Sequence, residues 1–340
     1  MTYGVQENIS LAPLTTFKTG GQAKYFFQVS TNDELKTAVA FSKEHHVPFF
    51  VLGGGSNVLV PDSGYHGVVI LMGITGSEYV SVSETETEVT VGAGVPFDLF
   101  VAETVQRGLW GLENLSSIPG TVGATPVQNV GAYGVEVADT ITEVAAYNTT
   151  SEKFETLTAP ECAFGYRDSL FKHEAGKNYI ITSVTFRLSR VPQPKLAYAD
   201  LRVLEGEETP SISAIREEVI RIRSNKFPDW TVVGTAGSFF KNPIVAPESI
   251  AALLLHYPTL PMYPQDNGQV KVTLGFILDK VCGLKGYTNG NVGLYEKQAL
   301  VVIAHHGATT TEINSFADEI ADLVFKKTAI HIEREVTLLT

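Results

Sequence analysis

The stretch Pro48-Phe49-Phe50-Val51-Leu52-Gly53-Gly54-Gly55-Ser56-Asn57 runs an apolar segment straight into three glycines. The apolar run is short and bounded by Pro and Gly, so it reads as a buried strand. Three successive glycines permit close backbone approach and unusual dihedral angles. Their N–H groups, with the Ser56 hydroxyl, make a candidate cradle for a pyrophosphate. A tight turn between two strands is the other reading. No Lys follows, so this is not a P-loop, and the spacing is not G-x-G-x-x-G. Gly92-Ala93-Gly94 comes nearer to that pattern, but Phe97 stands where the third glycine is needed.

Working outward, residues 24–29 read as a strand. Thr31 and Glu34 then have capping-box spacing before a helix with Leu35, Ala38, Val39 and Phe41 on one face. Residues 67–72 read as a strand and 79–94 as a hairpin. A helix over 96–107 is stopped by Gly108. Strands are expected at 141–147, 153–158 and 179–188, a loop-rich excursion around 190–210, and a helix over 212–224. Past Gly237 the pattern predicts helices near 247–256 and 274–282, a strand at 299–304, and a helix over 311–327 opened by Thr309 and Glu312. A final strand is expected over 331–339. The mixture predicts an α+β protein of more than one domain.

Composition narrows the function. Of 340 residues, 44% are hydrophobic and 18% charged, enough for a packed core. The formal charge of −12 argues against non-specific nucleic-acid binding. Any phosphate site must therefore be built locally from a few cations and N–H groups. Cys162 and Cys282 belong to no CxxC and read as free thiols. No apolar run reaches the ~18 residues of a membrane span. Residues 1–10 lack the basic and apolar regions of a secretory signal, so the expected location is the cytoplasm. His45-His46 and His305-His306 lack metal-ligand spacing, and no metal is expected.

Four further motifs can carry chemistry. The stretch from Ile118 to Gly134 is rich in Gly and Ala and has no helical or strand period. Its close backbone approach, with Gln128 and Asn129, suits a flat isoalloxazine ring; a long surface loop is the alternative. Phe164-Gly-Tyr-Arg-Asp-Ser169 offers Arg167 as a bidentate carboxylate binder, unless Asp168 simply pairs with it. Gly237-Ser-Phe-Phe-Lys-Asn-Pro243 sets Ser238 beside two aromatic rings. As a very weak acid it suits protonation of a carbanion or enolate, and otherwise it is a strand Ser bonded to backbone. In Ile332-Glu-Arg-Glu-Val336, strand alternation places Glu333 and Glu335 on one side and Arg334 on the other. Those carboxylates are either a solvated edge or a functional acid.

The order LGGGSNVLV, GLENLSSIPGTVGATPVQNVGAYG, FGYRDSLFK, GTAGSFFKNP, EREV resembles the UDP-N-acetylenolpyruvoylglucosamine reductase family, over about residues 15–337. Lys195-Leu-Ala-Tyr-Ala-Asp-Leu201 resembles the tyrosine loop of its type I members. The resemblance implies a two-subdomain FAD-binding fold, of the vanillyl-alcohol-oxidase-like group, plus a separate α+β substrate-binding domain. It divides the chain into subdomain 1 (1–66, with a C-terminal strand at 328–340), subdomain 2 (67–228, with the tyrosine loop at 190–210) and a substrate domain (229–327). It implies NADPH-dependent, FAD-mediated reduction of the enolpyruvyl ether of UDP-N-acetylglucosamine to UDP-N-acetylmuramate, a step of peptidoglycan precursor synthesis. Hydride adds at C3 of the enolpyruvyl group and a proton at C2.

On the matching positions the resemblance assigns Arg167 to the substrate carboxylate, Ser238 to proton delivery and Glu335 to the enolic form. FAD would be held by Gly53, Gly54, Gly55, Ser56, Asn57, Gly120, Gly123, Ala124, Thr125, Val130, Gly131 and Arg223. Substrate contacts would come from Tyr133, Tyr198, Lys226, Asn242, Tyr263, Lys271 and Gln298. A monomer is expected. Two positions depart from some relatives: Gly54 replaces an acid, and Thr337 an Arg near the flavin. An FAD-dependent alcohol oxidase of the same fold group is the rival enzyme, with no reason to carry GSFFKNP or the tyrosine loop. A non-catalytic flavin-binding protein would not need Ser238 and Glu335.

Overall fold

Two parallel strands, Phe49–Leu52 and Tyr65–Met72, lie side by side with Phe49 opposite Val68 and Leu52 opposite Leu71. They belong to a four-stranded sheet ordered Gln6–Ser10, Gln22–Val29, Tyr65–Met72, Phe49–Leu52. Tyr65–Met72 is largely buried, whereas of the strand expected to be buried, Phe49–Leu52, only Leu52 is fully so and the other three residues are partly covered, as suits the edge strand of the sheet. The computed structural model describes residues 4–206 and 209–340. These form two units: one of residues up to Ile9, Ala23–Gly55 and His66–Arg223, the other of Ser10–Gln22, Ser56–Tyr65 and Ser224–Thr340. The boundary thus falls inside the glycine loop, between Gly55 and Ser56.

In the first unit, helix Asn32–Glu44 starts with the expected box: the Thr31 side chain accepts from Glu34 N–H, and Glu34 reaches back to the Thr31 N–H. Its apolar face buries Leu35, Ala38, Val39 and Phe41. A second sheet is antiparallel throughout, ordered Lys153–Thr158, Ile141–Asn148, Tyr179–Ser189, Glu86–Gly92, Ser77–Ser81. Its alternating strands put Val89, Val91, Val144, Val184 and Phe186 into the core with Phe97 and Phe100 of helix Phe97–Gln106. Helix Ile212–Lys226 buries Ile212, Ile215, Val219 and Ile222 in a smaller cluster with Trp110, Tyr133 and Leu201.

In the second unit, Gly234–Ser238, Val301–Ala304, Val292–Leu294 and Thr288–Asn289 form an antiparallel sheet. Helix Thr310–Thr328 carries the predicted Thr309–Glu312 capping box and ends at left-handed Ala329. Its Ile313, Phe316, Ala317 and Ile320 pack into a core with Phe17, Phe239 and Phe240. The expected helix at 274–282 is a short α-turn, Leu274–Phe276, that widens into a π-turn at Ile277–Val281. The expected strand over 331–339 is not continuous. Only Thr337–Leu338 pairs as a strand, in parallel with Val58–Leu59, while Arg334 forms an isolated bridge with Phe240. Two separate partners each claim a short piece of this segment, which interrupts the ladder. Among the described residues no helix is long and apolar enough to cross a membrane.

Candidate active site

The glycine loop meets the second Gly-rich stretch backbone to backbone. A Cβ on Gly54 would lie 2.8 Å from the Gly120 Cα, and one on Gly53 would lie 2.5 Å from the Thr121 Oγ1. A side chain at either position would force its neighbour to shift, backbone at Gly54 and the Thr121 hydroxyl at Gly53, so the two loops as packed in this chain are fitted to glycine. Gly123 is equally confined, with Ala93 Cβ at 2.5 Å. Beyond it a 3-10 turn, Val122–Ala124, is closed by Thr125, whose hydroxyl donates to Val122 O at 2.8 Å. Val130 N–H then returns to Thr125 O. Gly54 itself stays exposed, so the joined loops offer main-chain groups with no side chain in the way. That surface fits a flat, phosphate-bearing cofactor such as FAD.

Arg167 sits at the tip of a tight turn in which Gly165 and Asp168 exchange both backbone hydrogen bonds. Its φ of +54° is in the left-handed region, a strain typically of ~1–3 kcal/mol for a non-glycine residue. The guanidinium is aimed back at the Gly-rich stretch: Nη2 donates to Gly131 O at 2.6 Å and Nη1 to Asn129 O at 3.4 Å. Asn129 in turn ties the turn down, donating from Nδ2 to Gly165 O and to Glu136. The simple Arg167–Asp168 pair does not form. Asp168 lies 2.9 Å from the His173 Nε2 instead, because the turn sends neighbouring side chains apart. Burial works against ionisation of Asp168, but the hydrogen bonds from His173 and the Ser169 N–H outweigh it and lower its pKa.

Tyr133 and Tyr198 meet edge to face at 5.3 Å, and both line a cavity of about 420 Å³ with residues 194–197. Tyr198 is 40% exposed. Burial pushes the Tyr133 phenol up, and Arg223 opposes that shift. Burial also disfavours the charge of Arg223, whose Nε donates to Ser117 O at 3.1 Å, while Tyr133 and Asp98 favour it.

In the second unit, Ser238 ends the strand Gly234–Ser238. Between Thr235 and Ser238 the register against Val301–Ala304 slips, leaving a bulge. Gly237 lies in it with φ +73°, the left-handed conformation such a bulge favours. The bulge re-aims Ser238 while its neighbours Phe239 and Phe240 go into the core, each 1% exposed. Glu335 is tied to this strand. Its N–H donates to Phe239 O at 2.8 Å, and its carbonyl accepts from Asn57 Nδ2 at 3.2 Å. Asn57, expected at the cofactor, thus also holds the backbone of Glu335. Glu335 is half-buried, whereas Glu333 is exposed and 3.4 Å from Lys241 Nζ.

The remaining candidates are spread through the same unit. Asn242 accepts from Leu274 N–H at 3.0 Å through Oδ1, so its amide can offer a phosphate only donors. Tyr263 and Lys271 are opposite residues of a strand pair, with Nζ 5.8 Å from the ring centroid. Lys226 is the last residue of helix Ile212–Lys226. Gln298 turns inward on its own loop, with Oε1 3.4 Å from Leu300 N. Among the described residues no cluster of His, Cys, Asp and Glu could hold a metal ion.

Two structural supports escaped the sequence reading. Asn114, 0% exposed, donates to both Tyr133 O and Lys195 O, tying together the two tyrosine-bearing segments. It lies in the GLENLSSIPG stretch, where an Asn among apolar residues was the available signal. Asp98 forms a two-bond pair with Arg216 across 118 positions, and nothing local announces it.

Comparisons with known proteins agree on one family. Residues 23–156 match the model of an FAD binding domain, and residues 229–339 match the C-terminal domain of UDP-N-acetylenolpyruvoylglucosamine reductase. The UDP-N-acetylenolpyruvoylglucosamine reductase of Chromobacterium violaceum is 40% identical over 100% of both chains. That of Cupriavidus pinatubonensis is 44% identical, covering 95% of this chain and 96% of its own. The crystal structure of the Thermus caldophilus reductase superposes with TM-score 0.69 at 26% identity, covering 98% of each chain. A vanillyl-alcohol-oxidase-type flavoprotein of Myceliophthora thermophila shares the fold alone, at TM-score 0.50 and 11% identity over 91% of this chain and 72% of that one. With an FAD-binding fold, a matching C-terminal domain and full-length relatives, the chain belongs to the UDP-N-acetylenolpyruvoylglucosamine reductase family of FAD-dependent oxidoreductases.

Proposed function

We propose that the chain reduces the enolpyruvyl ether of UDP-N-acetylglucosamine to UDP-N-acetylmuramate with NADPH, acting as a cytoplasmic monomer in peptidoglycan precursor synthesis. The observation that carries this reading is the backbone bond from Glu335 to Phe239, which joins the carboxylate-bearing segment to the residue next to Ser238. An oxidase or a flavin carrier has no use for that pairing. With the reading goes a division into two FAD-binding subdomains, 1–66 with 328–340 and 67–228, and a substrate domain at 229–327.

Residues 53–57 and 120–131 with Arg223 would hold FAD, which when bound would supply hydride taken from NADPH. The chain's own residues do the rest. Arg167 binds the substrate carboxylate through its fork and stabilises the negative charge that grows there as hydride reaches C3. Ser238 donates its Oγ–H proton to C2, and solvent restores that proton afterwards. A weak acid can do this because the enolic carbon it meets is strongly basic. Glu335 stabilises the enolic form from the partner segment. Lys226, Asn242 and Tyr198 hold the pyrophosphate, with Tyr133, Tyr263, Lys271 and Gln298 as further substrate contacts. A few local cations suffice despite the net charge of −12.

The test is anaerobic reduction of the purified protein by NADPH, followed by the UDP-linked enolpyruvyl ether, with flavin absorbance recorded throughout. Bleaching and then prompt recovery on adding the ether is the expected result. Recovery only on admitting air would favour the oxidase or carrier.

A further inference from the structure

Arg334 stands between the two carboxylates of the Glu-Arg-Glu-Val stretch, and the reaction as derived gives it no part. Its guanidinium nevertheless makes three hydrogen bonds. Nη1 donates to Asn314 Oδ1 at 2.6 Å, and Nη2 donates to Asn314 O at 3.0 Å and to Asp318 Oδ1 at 2.6 Å. All three acceptors lie on helix Thr310–Thr328. The same guanidinium sits 5.9 Å from the ring centroid of Phe239, the residue after Ser238. On its other edge the segment is held through the main chain. Lys241 N–H donates to Glu333 O at 2.9 Å, and Glu335 N–H donates to Phe239 O at 2.8 Å.

The segment is not a continuous strand, and its ladder against 239–241 is an isolated bridge at Arg334 itself. Main-chain bonds at Glu333 and Glu335, the Asn57 amide on the Glu335 carbonyl and the Thr337–Leu338 pairing set its register. The planar fork, fixed at three points on a neighbouring helix, adds the side-chain restraint that sets which way the segment faces between the two carboxylates. In extended backbone successive side chains point to opposite sides, so seating Arg334 on the helix sends Glu335 the other way. We propose that Arg334 is a positioning residue for Glu335: its guanidinium, clamped to Asn314 and Asp318, fixes the orientation in which Glu335 is presented beside Ser238. The inference rests on Glu335 being the reactive carboxylate.

A purely structural role predicts something different. Asp318 is 76% exposed, and an ion pair with so exposed a partner adds little to global stability. Geometry is less forgiving, since a displacement of about 1 Å can cost on the order of 100-fold in rate. The two roles thus separate in experiment. Arg334→Gln, Arg334→Lys and Asn314→Ala are compared with Glu335→Gln in the FAD-loaded full chain. For each, the measurements are the flavin-reduction rate with NADPH, kcat and KM for the UDP-linked enolpyruvyl ether, and the thermal midpoint. Arg334→Gln is expected to lower kcat by roughly 10-fold or more, with flavin reduction and KM within about 2-fold. Arg334→Lys should recover only part of that loss, because a single ammonium cannot reproduce the fork. Asn314→Ala should give the same pattern more weakly, and it serves if Arg334→Gln does not fold. A fall in thermal midpoint with unchanged kcat in these variants overturns the inference. If Glu335→Gln also leaves kcat unchanged, the role of Glu335 falls first and takes the inference with it. If Glu335→Gln is slow while the Arg334 and Asn314 variants are normal, only the inference is overturned.

Discussion

Gly54 and Gly237 both sit at candidate functional positions, one in each unit, and they are glycines for opposite reasons. A Cβ on Gly54 would strike the Gly120 backbone at 2.8 Å, whereas a Cβ on Gly237 would meet nothing within 4 Å. Gly237 is needed for its φ of +73°, which makes the bulge before Ser238. The first region is thus built by main chain pressed against main chain, and its function needs side chains to be absent. The second is built by aiming a few side chains, Ser238 and Glu335 above all, from backbones that are paired only briefly. Closely packed main chain leaves little room for bulk; proton delivery, as proposed for Ser238, depends on orientation instead.

That contrast can be broken experimentally. The largest effect is expected from Ser238→Ala. Reduction of the enolpyruvyl ether should slow by on the order of 100-fold or more while flavin reduction by NADPH stays nearly intact, as stopped-flow absorbance would record. Equal loss in both half-reactions would end the proton-donor assignment. Next comes Gly54→Ala, which must push the 120–121 backbone aside at a cost of about 1–3 kcal/mol. It should lower FAD retention by roughly 10-fold or more, measured by flavin content after gel filtration. Retention equal to wild type would mean the two loops do not form the cradle.

Arg167→Lys keeps the charge but loses the fork, so the substrate step should weaken at least ~10-fold. Near-normal turnover would remove the bidentate role. Gly237→Ala should be milder, placing a side chain in a left-handed position at about 1 kcal/mol. It should slow substrate reduction a few-fold and leave FAD retention unchanged. Lost flavin in that variant would erase the distinction between the two glycines.

The smallest effect is expected at Asp98. Its carboxylate is held below the usual range: burial opposes ionisation, but the hydrogen bonds from Arg216 and the Ser117 N–H outweigh it. A depressed folded-state pKa contributes stability above the unfolded value of about 3.9 that disappears as pH falls through the folded value. Asp98→Asn should therefore lower the thermal midpoint at neutral pH, by an amount near 1 kcal/mol after allowance for its partial exposure, and the difference from wild type should shrink as pH is lowered through that acid range. A difference that does not change with pH would mean the pair contributes nothing through charge.

The helices with capping boxes, Asn32–Glu44 and Thr310–Thr328, and the individual strands between Glu86 and Ser189 were legible in advance, because caps and alternation are local patterns; the order in which those strands pair was not. The Gly-rich stretches stood out for a similar reason, though taken by themselves each also read as a turn or a surface loop. The reach of the C-terminal strand was not legible. Residues 331–339 read as one strand, but pairing was divided between Phe240 and Val58–Leu59, which lie far away in sequence. The choice between Glu333 and Glu335 was likewise open, since both share one face of an extended segment.

The amino-acid sequence alone determined the family, because the order of its motifs along the chain is itself the signal. Tertiary structure decided that Glu335 is the more buried of the two carboxylates, that Asp168 turns to His173, that Asn114 joins two tyrosine segments, and that Arg334 clamps a helix. Each of those depends on how the folded backbone aims a side chain, and no local propensity encodes partners that range from 5 positions away, for Asp168 and His173, to 81, for Asn114 and Lys195.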